Sequence, residues 1–148
     1  MFDSCLEKQR LVKAQFSDCQ TEEAKYQKII ELGRKQSGLS DAEKTSSNLV
    51  KGCQSQMYLA SRLTGNQVFF SAESDALISA GLAALLIQVY SGETPETILK
   101  CSPSYLEELG INASLTPNRA NGLYSIHLRM KQDALKWLMQ GEKTQNPG

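Results

Sequence analysis

The segment DALISAGLAALLIQVY, residues 75–90, constrains the fold of this chain more than any other. It is apolar on nearly every face, so a helix formed from it has to be covered on several sides by other elements. Ser74 and Asp75 stand at its start, where short polar side chains can cap free backbone N–H groups. The segment therefore predicts a core helix that packs against a sheet.

The residues before this helix predict a β-hairpin. Apolar residues alternate with other side chains over residues 57–63, the turn residues Thr64-Gly65-Asn66 follow, and Gln67-Val68-Phe69-Phe70 resumes in strand-forming residues. A third short strand is predicted at Asn48-Leu49-Val50, which would place Cys53 on a loop joining two strands. The expected fold class is α+β, with a small three-stranded antiparallel sheet packed against several helices.

Helical patterns account for most of the remaining chain. Two helices are predicted between Phe2 and Gly33, with Gly33 as the C-terminal cap of the second. Residues 33–47 lack periodicity and are expected to form a long surface connection. Three later helices are predicted to start at hydroxyl–proline pairs, namely Thr94-Pro95, Ser102-Pro103 and Thr116-Pro117.

The chain length and the numbers of charged residues limit the size and the class of the protein. The chain has 148 residues, so we predict a single domain over residues 1–140 and a flexible C-terminal tail at residues 141–148. Sixteen basic residues balance sixteen acidic ones without a basic cluster, which argues against a nucleic-acid partner. The N-terminal segment is charged by its third residue, and no apolar segment is long enough to span a bilayer comfortably. We therefore expect a soluble, cytoplasmic protein that does not bind membranes.

The four cysteines are too widely spaced for a dense disulfide framework or a zinc knuckle. They are expected to be free thiols, and Cys5, Cys19 and Cys101 are expected to serve packing or to lie on the surface. Cys53 differs because Gly52 before it permits unusual backbone geometry. Cys53 could be core filling, a metal ligand or a nucleophile.

The rest of the sequence bears on these alternatives. Gln54, Ser55 and Gln56 place hydrogen-bonding groups around a sulfur that could become an anion. Arg119, in the first turn of the last predicted helix, could supply positive charge and a helix N-terminus to such a thiolate. His127 is the only histidine, and its mid-helix position favours a structural or surface role over that of a base. With no set of metal ligands and no phosphate-binding loop, the pattern favours a sulfur acceptor over an enzyme with a full catalytic set.

Three strings occur together in a familiar order. They are Ile29-Ile30-Glu31-Leu32-Gly33, Gly52-Cys53-Gln54-Ser55-Gln56 and Leu115-Thr116-Pro117-Asn118-Arg119-Ala120-Asn121-Gly122-Leu123. In this order and at these distances they resemble the SufE family of cysteine desulfuration proteins, over nearly the whole chain from about Phe16 onward. The resemblance implies a three-stranded antiparallel sheet backed by helices, similar to the iron–sulfur scaffold proteins.

The resemblance also implies a function. Family members accept sulfane sulfur from the persulfide of a pyridoxal-phosphate cysteine desulfurase of the SufS type and pass it to an iron–sulfur scaffold of the SufBCD type. Cys53 falls on the acceptor cysteine, Arg119 on the family's arginine and Asp75 on its aspartate. Gly52, the residues Gln54, Ser55 and Gln56, and Asp75 are expected to form the desulfurase-binding surface.

The predicted protein is thus an accessory sulfur carrier that stimulates the desulfurase. It is not itself an enzyme, it binds no cofactor or metal of its own, and it is expected to be a monomer. Two alternatives remain open at this point: a scaffold-like iron–sulfur or metal-binding module, and an adaptor that stimulates a desulfurase without carrying sulfur.

Overall fold

The computed structural model describes residues 2–145, except for the side chains of residues 112 and 142–145. Its fold class is α+β, as predicted. The regular elements, in chain order, are α1 (Asp3–Gln15), α2 (Glu22–Arg34), β1 (Met57–Thr64), β2 (Gln67–Ser74), α3 (Leu77–Tyr90), α4 (Pro95–Lys100), α5 (Ser104–Glu108), α6 (Ile111–Ser114) and α7 (Pro117–Gln145). Two short 3₁₀ turns, at residues 41–43 and 46–48, lie in the predicted connection between α2 and β1.

Helix α3 is the centre of the core, which confirms the prediction from its apolar sequence. All residues from Leu82 to Leu86 are at most 1% exposed, and α1, α2, α7 and β2 all pack against this helix. The helix begins at Leu77, later than predicted, and its N-cap Ala76 has no side-chain capping bond. The hydroxyl of Ser74 instead accepts a hydrogen bond from the N–H of Ala76. The carboxylate of Asp75 accepts a hydrogen bond from the N–H of Gln56, on the loop that carries Cys53.

Gly33 does not end α2, so its prediction as a C-terminal cap is wrong. The helix continues to Arg34, and Gly33 lies where α2 crosses α3. A Cβ atom on Gly33 would lie 2.5 Å from the backbone nitrogen of Gly81 in α3. Both glycines therefore allow the two helix backbones to approach more closely than any side chain would permit.

The sheet consists of two antiparallel strands within the described residues. Their pairing runs from Met57 opposite Ser74 to Thr64 opposite Gln67, and the two-residue turn at Gly65 confirms the predicted hairpin. The left-handed φ of 63° at Gly65 is the conformation that such a tight turn favours.

The predicted third strand at Asn48-Leu49-Val50 is not formed, because only one isolated bridge pairs Leu49 with Tyr58 of β1. The preceding residues 46–48 turn in a 3₁₀ conformation. In addition, the guanidinium of Arg129 in α7 donates hydrogen bonds to the carbonyl oxygens of Ser47 (2.8 Å) and Leu49 (3.3 Å). The segment is therefore held by the side chain of a distant helix instead of a full ladder of strand hydrogen bonds.

The hydroxyl–proline pairs mark helix starts with one exception. The hydroxyl of Thr94 accepts a hydrogen bond from the N–H of Thr97 and caps α4, and Thr116 does the same for Arg119 at the start of α7. Helix α5 begins later than predicted, at Ser104, with Pro103 as its N-cap. Its neighbour Ser102 does not cap it.

Helix α7 continues to Gln145, so the backbone at residues 141–145 is helical within the segment predicted as a tail. Residues 146–148 of that predicted tail lie outside the described residues. On one face of α7 the residues Leu123, Ile126, Met130 and Ala134 are buried, and this face packs on α3 and α4. Among residues 2–145, no helix combines the length and the apolar character that crossing a bilayer requires.

Candidate functional site

Cys53 lies on a short loop that is closed at its base. The N–H of Val50 donates a 2.8 Å hydrogen bond to the carbonyl oxygen of Met57, the first residue of β1. Between these two residues the chain leaves the sheet and returns to it, with Gly52, Gln54 and Gln56 exposed to solvent and Cys53 half-buried. The hairpin and the Leu49–Tyr58 bridge therefore hold the ends of the loop, while its tip carries the thiol.

Gly52 gives the loop its direction. Its φ of 92° lies in the left-handed region, which side chains other than hydrogen disfavour. A Cβ atom at this position would also lie 2.5 Å from the hydroxyl oxygen of Ser125 in α7. Both observations explain why a glycine precedes the cysteine: it lets the chain turn tightly beside α7 and directs Cys53 towards that helix.

The thiol of Cys53 points towards α7. Its Sγ atom lies 3.8 Å from the carbonyl oxygen of Gly122, at the distance of a weak S–H···O hydrogen bond. A Cβ atom on Gly122 would lie 3.9 Å from the sulfur, in van der Waals contact with it. Burial raises the pKa of the Cys53 thiol above its ordinary value. The resting side chain is therefore a protected thiol and not an activated thiolate.

A cavity of about 180 Å³ adjoins this thiol. Its floor consists of apolar side chains from two helices, Ile78 and Leu82 of α3 and Ile126 of α7. Polar groups stand around the rest of the cavity: Gln54, Ser55, Ser79, Asn118 and Arg119. Cys53 thus faces a space with an apolar base and a polar mouth.

Two side chains fasten the loop to the start of α3. The carboxylate of Asp75 accepts a 3.1 Å hydrogen bond from the N–H of Gln56, and the N–H of Asp75 donates to the Gln56 carbonyl at 3.4 Å. The hydroxyls of Ser55 and Ser79 are 2.8 Å apart. The structure therefore brings the predicted residues Ser55, Gln56 and Asp75 together with Cys53.

Arg119 lines the same cavity as Cys53, in the first turn of α7. Its guanidinium carbon lies 5.1 Å from the centre of the Tyr26 ring, which is cation–π geometry. In this conformation the charge is held against α2, and burial is the cause that acts on the pKa of the Cys53 thiol. The electrostatic or docking role of Arg119 stays a prediction.

His127 does not line the cavity, in keeping with the structural or surface role expected for it. Its ring stacks on that of Tyr90 with the ring centres 5.4 Å apart. Its Nε2 atom is buried without a hydrogen-bond partner among the described residues. Burial, assisted by the charge of Lys131, lowers the pKa of His127 to about 4. The imidazole therefore stays neutral at physiological pH and does not serve Cys53 as a base.

Several residues of this site were not among the predicted site residues. Gly122 lies within one of the quoted strings, but only the fold shows that its carbonyl oxygen is the neighbour of the thiol. The spacing of Asn118, Gly122 and Ile126 is the helical i, i+4, i+8 pattern, which would have placed them on one face of α7. Ser79 carried no such signal, because its contact with Ser55 depends on the packing of the loop on α3.

The remaining cysteines and acidic residues do not form a metal site within the described part of the chain. No group of three or more His, Cys, Asp or Glu side chains there is arranged to hold a metal ion. Cys19 is partly buried against the core, whereas Cys5 and Cys101 are buried within it.

Several known proteins are similar to this chain in sequence. The family model SufE, described as an Fe-S metabolism associated domain, matches residues 10–134. An uncharacterized SufE-like protein of Synechocystis sp. is 38% identical over 111 residues, which are 75% of this chain and 70% of that protein. SufE-like protein 1, chloroplastic/mitochondrial, of Arabidopsis thaliana is 34% identical over 141 residues, which are 95% of this chain but only 38% of that longer protein.

The fold has a solved counterpart. The solution structure of a hypothetical protein from Thermus thermophilus superposes with a TM-score of 0.73, covering 89% of this chain and 96% of that one at 23% identity. At this identity the superposition establishes the fold. The family match over residues 10–134 and the two relatives show the family: the protein belongs to the SufE family and has a role in Fe–S metabolism.

Proposed function

We propose that this protein is a sulfur carrier that accepts sulfane sulfur on Cys53 from a cysteine desulfurase and delivers it to an iron–sulfur cluster scaffold. The observation that carries the proposal is the setting of Cys53: a single thiol on a tethered loop, half-buried beside a cavity with an apolar floor. His127, the only histidine, lies elsewhere, stacked on Tyr90. A carrier needs a protected and deliverable sulfur and does not need a base of its own.

The transfer of sulfur from the desulfurase to Cys53 needs no oxidant. The Cys53 thiolate attacks the outer sulfur of the desulfurase persulfide, a new S–S bond forms on Cys53, and the donor's S–S bond breaks to leave its cysteine as a thiolate. The proton of Cys53 leaves before the attack. Because burial raises the pKa of this thiol, proton loss is unfavourable in the resting loop. Contact with the desulfurase therefore has to expose the thiol or stabilise its anion.

The loop has two positions in this proposal. At rest, the Sγ of Cys53 contacts α7, and the outer sulfur of a persulfide would extend into the neighbouring cavity, away from small thiols that would reduce it. When the desulfurase docks, the Asp75–Gln56 and Ser55–Ser79 hydrogen bonds break and the loop extends. Each net hydrogen bond contributes about 1 kcal/mol, so a modest interface can drive the movement.

The docking surface comprises the exposed tip of the loop and the start of α3. Gly52, Gln54, Gln56 and Asp75 are all exposed and adjacent in the fold. Arg119 at the rim of the cavity adds a positive charge once it leaves Tyr26.

The proposed partners are a SufS-type desulfurase, which supplies the pyridoxal phosphate, and a SufBCD-type scaffold. The carrier itself is a monomer, binds no cofactor and stimulates the desulfurase by removing its persulfide. The proposed location is a reducing compartment in which Cys53 remains a thiol, such as the cytoplasm. The Arabidopsis relative is named for the chloroplast and mitochondrion.

Desulfurase turnover tests the proposal. Alanine release from cysteine is measured with a SufS-type desulfurase alone, with the wild-type chain and with Cys53→Ser. Stimulation by wild type that is lost in Cys53→Ser, while the variant still competes for binding, supports a carrier. Equal stimulation by both proteins would instead indicate an adaptor that carries no sulfur. Iron or zinc that co-purifies in stoichiometric amount would indicate the scaffold-like alternative.

A further inference from the structure

Two cysteines that the sulfur-transfer site does not use lie together in the core. Cys5 is in the first turn of α1 and is 0% exposed, and Cys101 is the C-cap of α4 and is 5% exposed. The side-chain nitrogen of Gln9 lies 3.7 Å from the Cys5 sulfur and 3.6 Å from the Cys101 sulfur. Two thiols that are far apart in the sequence therefore share one hydrogen-bond donor.

The position of this donor is fixed by the rest of its amide group. Gln9 Oε1 accepts hydrogen bonds from the hydroxyl of Ser104 (3.1 Å) and the N–H of Tyr105 (3.4 Å). Gln9 Nε2 also donates to the carbonyl oxygen of Ser102 at 3.0 Å. With only 3% of Gln9 exposed, the amide cannot turn towards solvent without breaking these bonds. Both sulfurs thus contact the same nitrogen of a buried, ordered amide group.

We infer that Cys5 and Cys101 form a second redox site, in which a hydroperoxide or a low-molecular-mass disulfide converts the two thiols into an intramolecular disulfide. The bond would fasten α1 to the end of α4. Neither residue lines the cavity beside Cys53, so the oxidation would leave the sulfur-transfer site with its own thiol. This inference does not depend on the proposed function.

The chemistry balances in two steps. With hydrogen peroxide, one thiolate attacks an oxygen, the O–O bond breaks, and a sulfenic acid and hydroxide form. The second thiol then displaces water from the sulfenic acid as the S–S bond forms, so that two thiols and one peroxide give one disulfide and two waters. With a small disulfide, each cysteine in turn displaces one small thiol.

Burial slows the oxidation of Cys5 and Cys101. Desolvation and the neighbouring Cys101 thiol raise the pKa of Cys5 to about 12, so its thiolate is scarce at neutral pH. Because Cys5 is 0% and Cys101 5% exposed, an oxidant reaches either sulfur only when the packing of α1 on the core opens locally. The site therefore responds to sustained oxidation and not to brief exposure.

Peptide mapping tests the inference, since trypsin places each of the four cysteines in a different peptide: residues 1–8, 14–25, 52–62 and 101–119. The full-length chain and its Cys53→Ser variant are held for hours under native conditions with glutathione disulfide or with hydrogen peroxide. Free thiols are then blocked with N-ethylmaleimide in denaturant. We expect a reducible link between peptides 1–8 and 101–119 in both proteins.

Thermal unfolding gives an independent readout. Closing a loop between residues 5 and 101 should raise the Tm of the oxidised protein over the reduced protein by roughly 10 °C. The Cys5→Ala variant, compared with itself under both conditions, should show no such rise. The inference is overturned if Cys5 and Cys101 stay fully available to N-ethylmaleimide, if they link instead to Cys19 or Cys53, or if the link forms only in chains first unfolded in denaturant.

Discussion

The sulfur of Cys53 lies 3.8 Å from the carbonyl oxygen of Gly122, and this contact joins the tip of a loop to the long helix α7. A carbonyl oxygen accepts a hydrogen bond from a thiol but repels a thiolate. The contact therefore favours the protonated form of Cys53. Any side chain at position 122 would approach the sulfur, since a Cβ atom there would lie 3.9 Å from it. This contact fixes the resting position of the thiol, while burial raises its pKa.

Gly52→Ala should displace the loop. The left-handed φ of 92° and the contact with Ser125 both oppose a Cβ atom, and we expect a loss of about 2 kcal/mol in the free energy of unfolding. Gly65→Ala is the matched control, because Gly65 also has positive φ but a Cβ atom there would have no neighbouring atom within 4 Å. It should cost about 1 kcal/mol. Urea unfolding measures both, and equal losses would contradict the role given to Ser125.

Asp75→Ala should loosen the loop without affecting the core. Loss of the hydrogen bond to the Gln56 N–H removes about 1 kcal/mol of loop anchoring, so iodoacetamide should alkylate Cys53 roughly fivefold faster. Asp75→Asn keeps an acceptor oxygen but removes the charge, and it should stay close to the wild-type rate. Were both variants to react equally fast, the carboxylate charge and not the hydrogen bond would control the thiol.

Arg119→Ala should lower the rate at which a desulfurase loads Cys53, by roughly three- to fivefold if the positive charge contributes about 1 kcal/mol. Arg119→Lys keeps the charge and should retain most of the rate. Tyr26→Leu removes only the ring on which the guanidinium rests and should leave loading unchanged or faster. Single-turnover loading measures all three, and an unaltered rate for Arg119→Ala would assign the arginine to surface packing alone.

His127 should make the protein sensitive to acid. Its pKa is about 4 in the folded chain against an ordinary value of 6.5, so the stability associated with its neutral form is present above pH 6.5. That stability is lost as the pH falls from 6.5 towards 4, by up to about 3 kcal/mol. His127→Phe keeps the stacking on Tyr90 and cannot take up a proton. Guanidinium unfolding at pH 7 and pH 4.5 should show a smaller drop for the variant, and parallel drops would refute this account.

Features that depend on neighbouring residues were predictable from the sequence. The hairpin turn at Gly65, the cap by Thr94 and the buried helix α3 follow from turn chemistry, capping and hydrophobicity within short windows. The family strings likewise indicated the loop of Cys53, and the structure places Asp75 and Arg119 beside it.

Features that depend on contacts between distant elements were not predictable from the sequence. Gly33 resembles a helix cap in sequence, but its actual constraint is the backbone of Gly81 on another helix. The segment of the expected third strand makes only one bridge to β1, and Arg129, about eighty residues away, binds two of its carbonyl oxygens. The proximity of Cys5 to Cys101 and of Cys53 to Gly122 belongs to the same class. No periodic pattern in the sequence indicates which distant residues come into contact.

The central claim is that Cys53 itself carries the transferred sulfur. Incubation of the chain with a SufS-type desulfurase and cysteine, followed by alkylation and tryptic mass spectrometry, reports where an added sulfur resides. The account predicts one extra sulfur atom on peptide 52–62, removable by reductant and absent from the Cys53→Ser variant. An extra sulfur on Cys5, Cys19 or Cys101, or none on any peptide while the desulfurase is still stimulated, would contradict it.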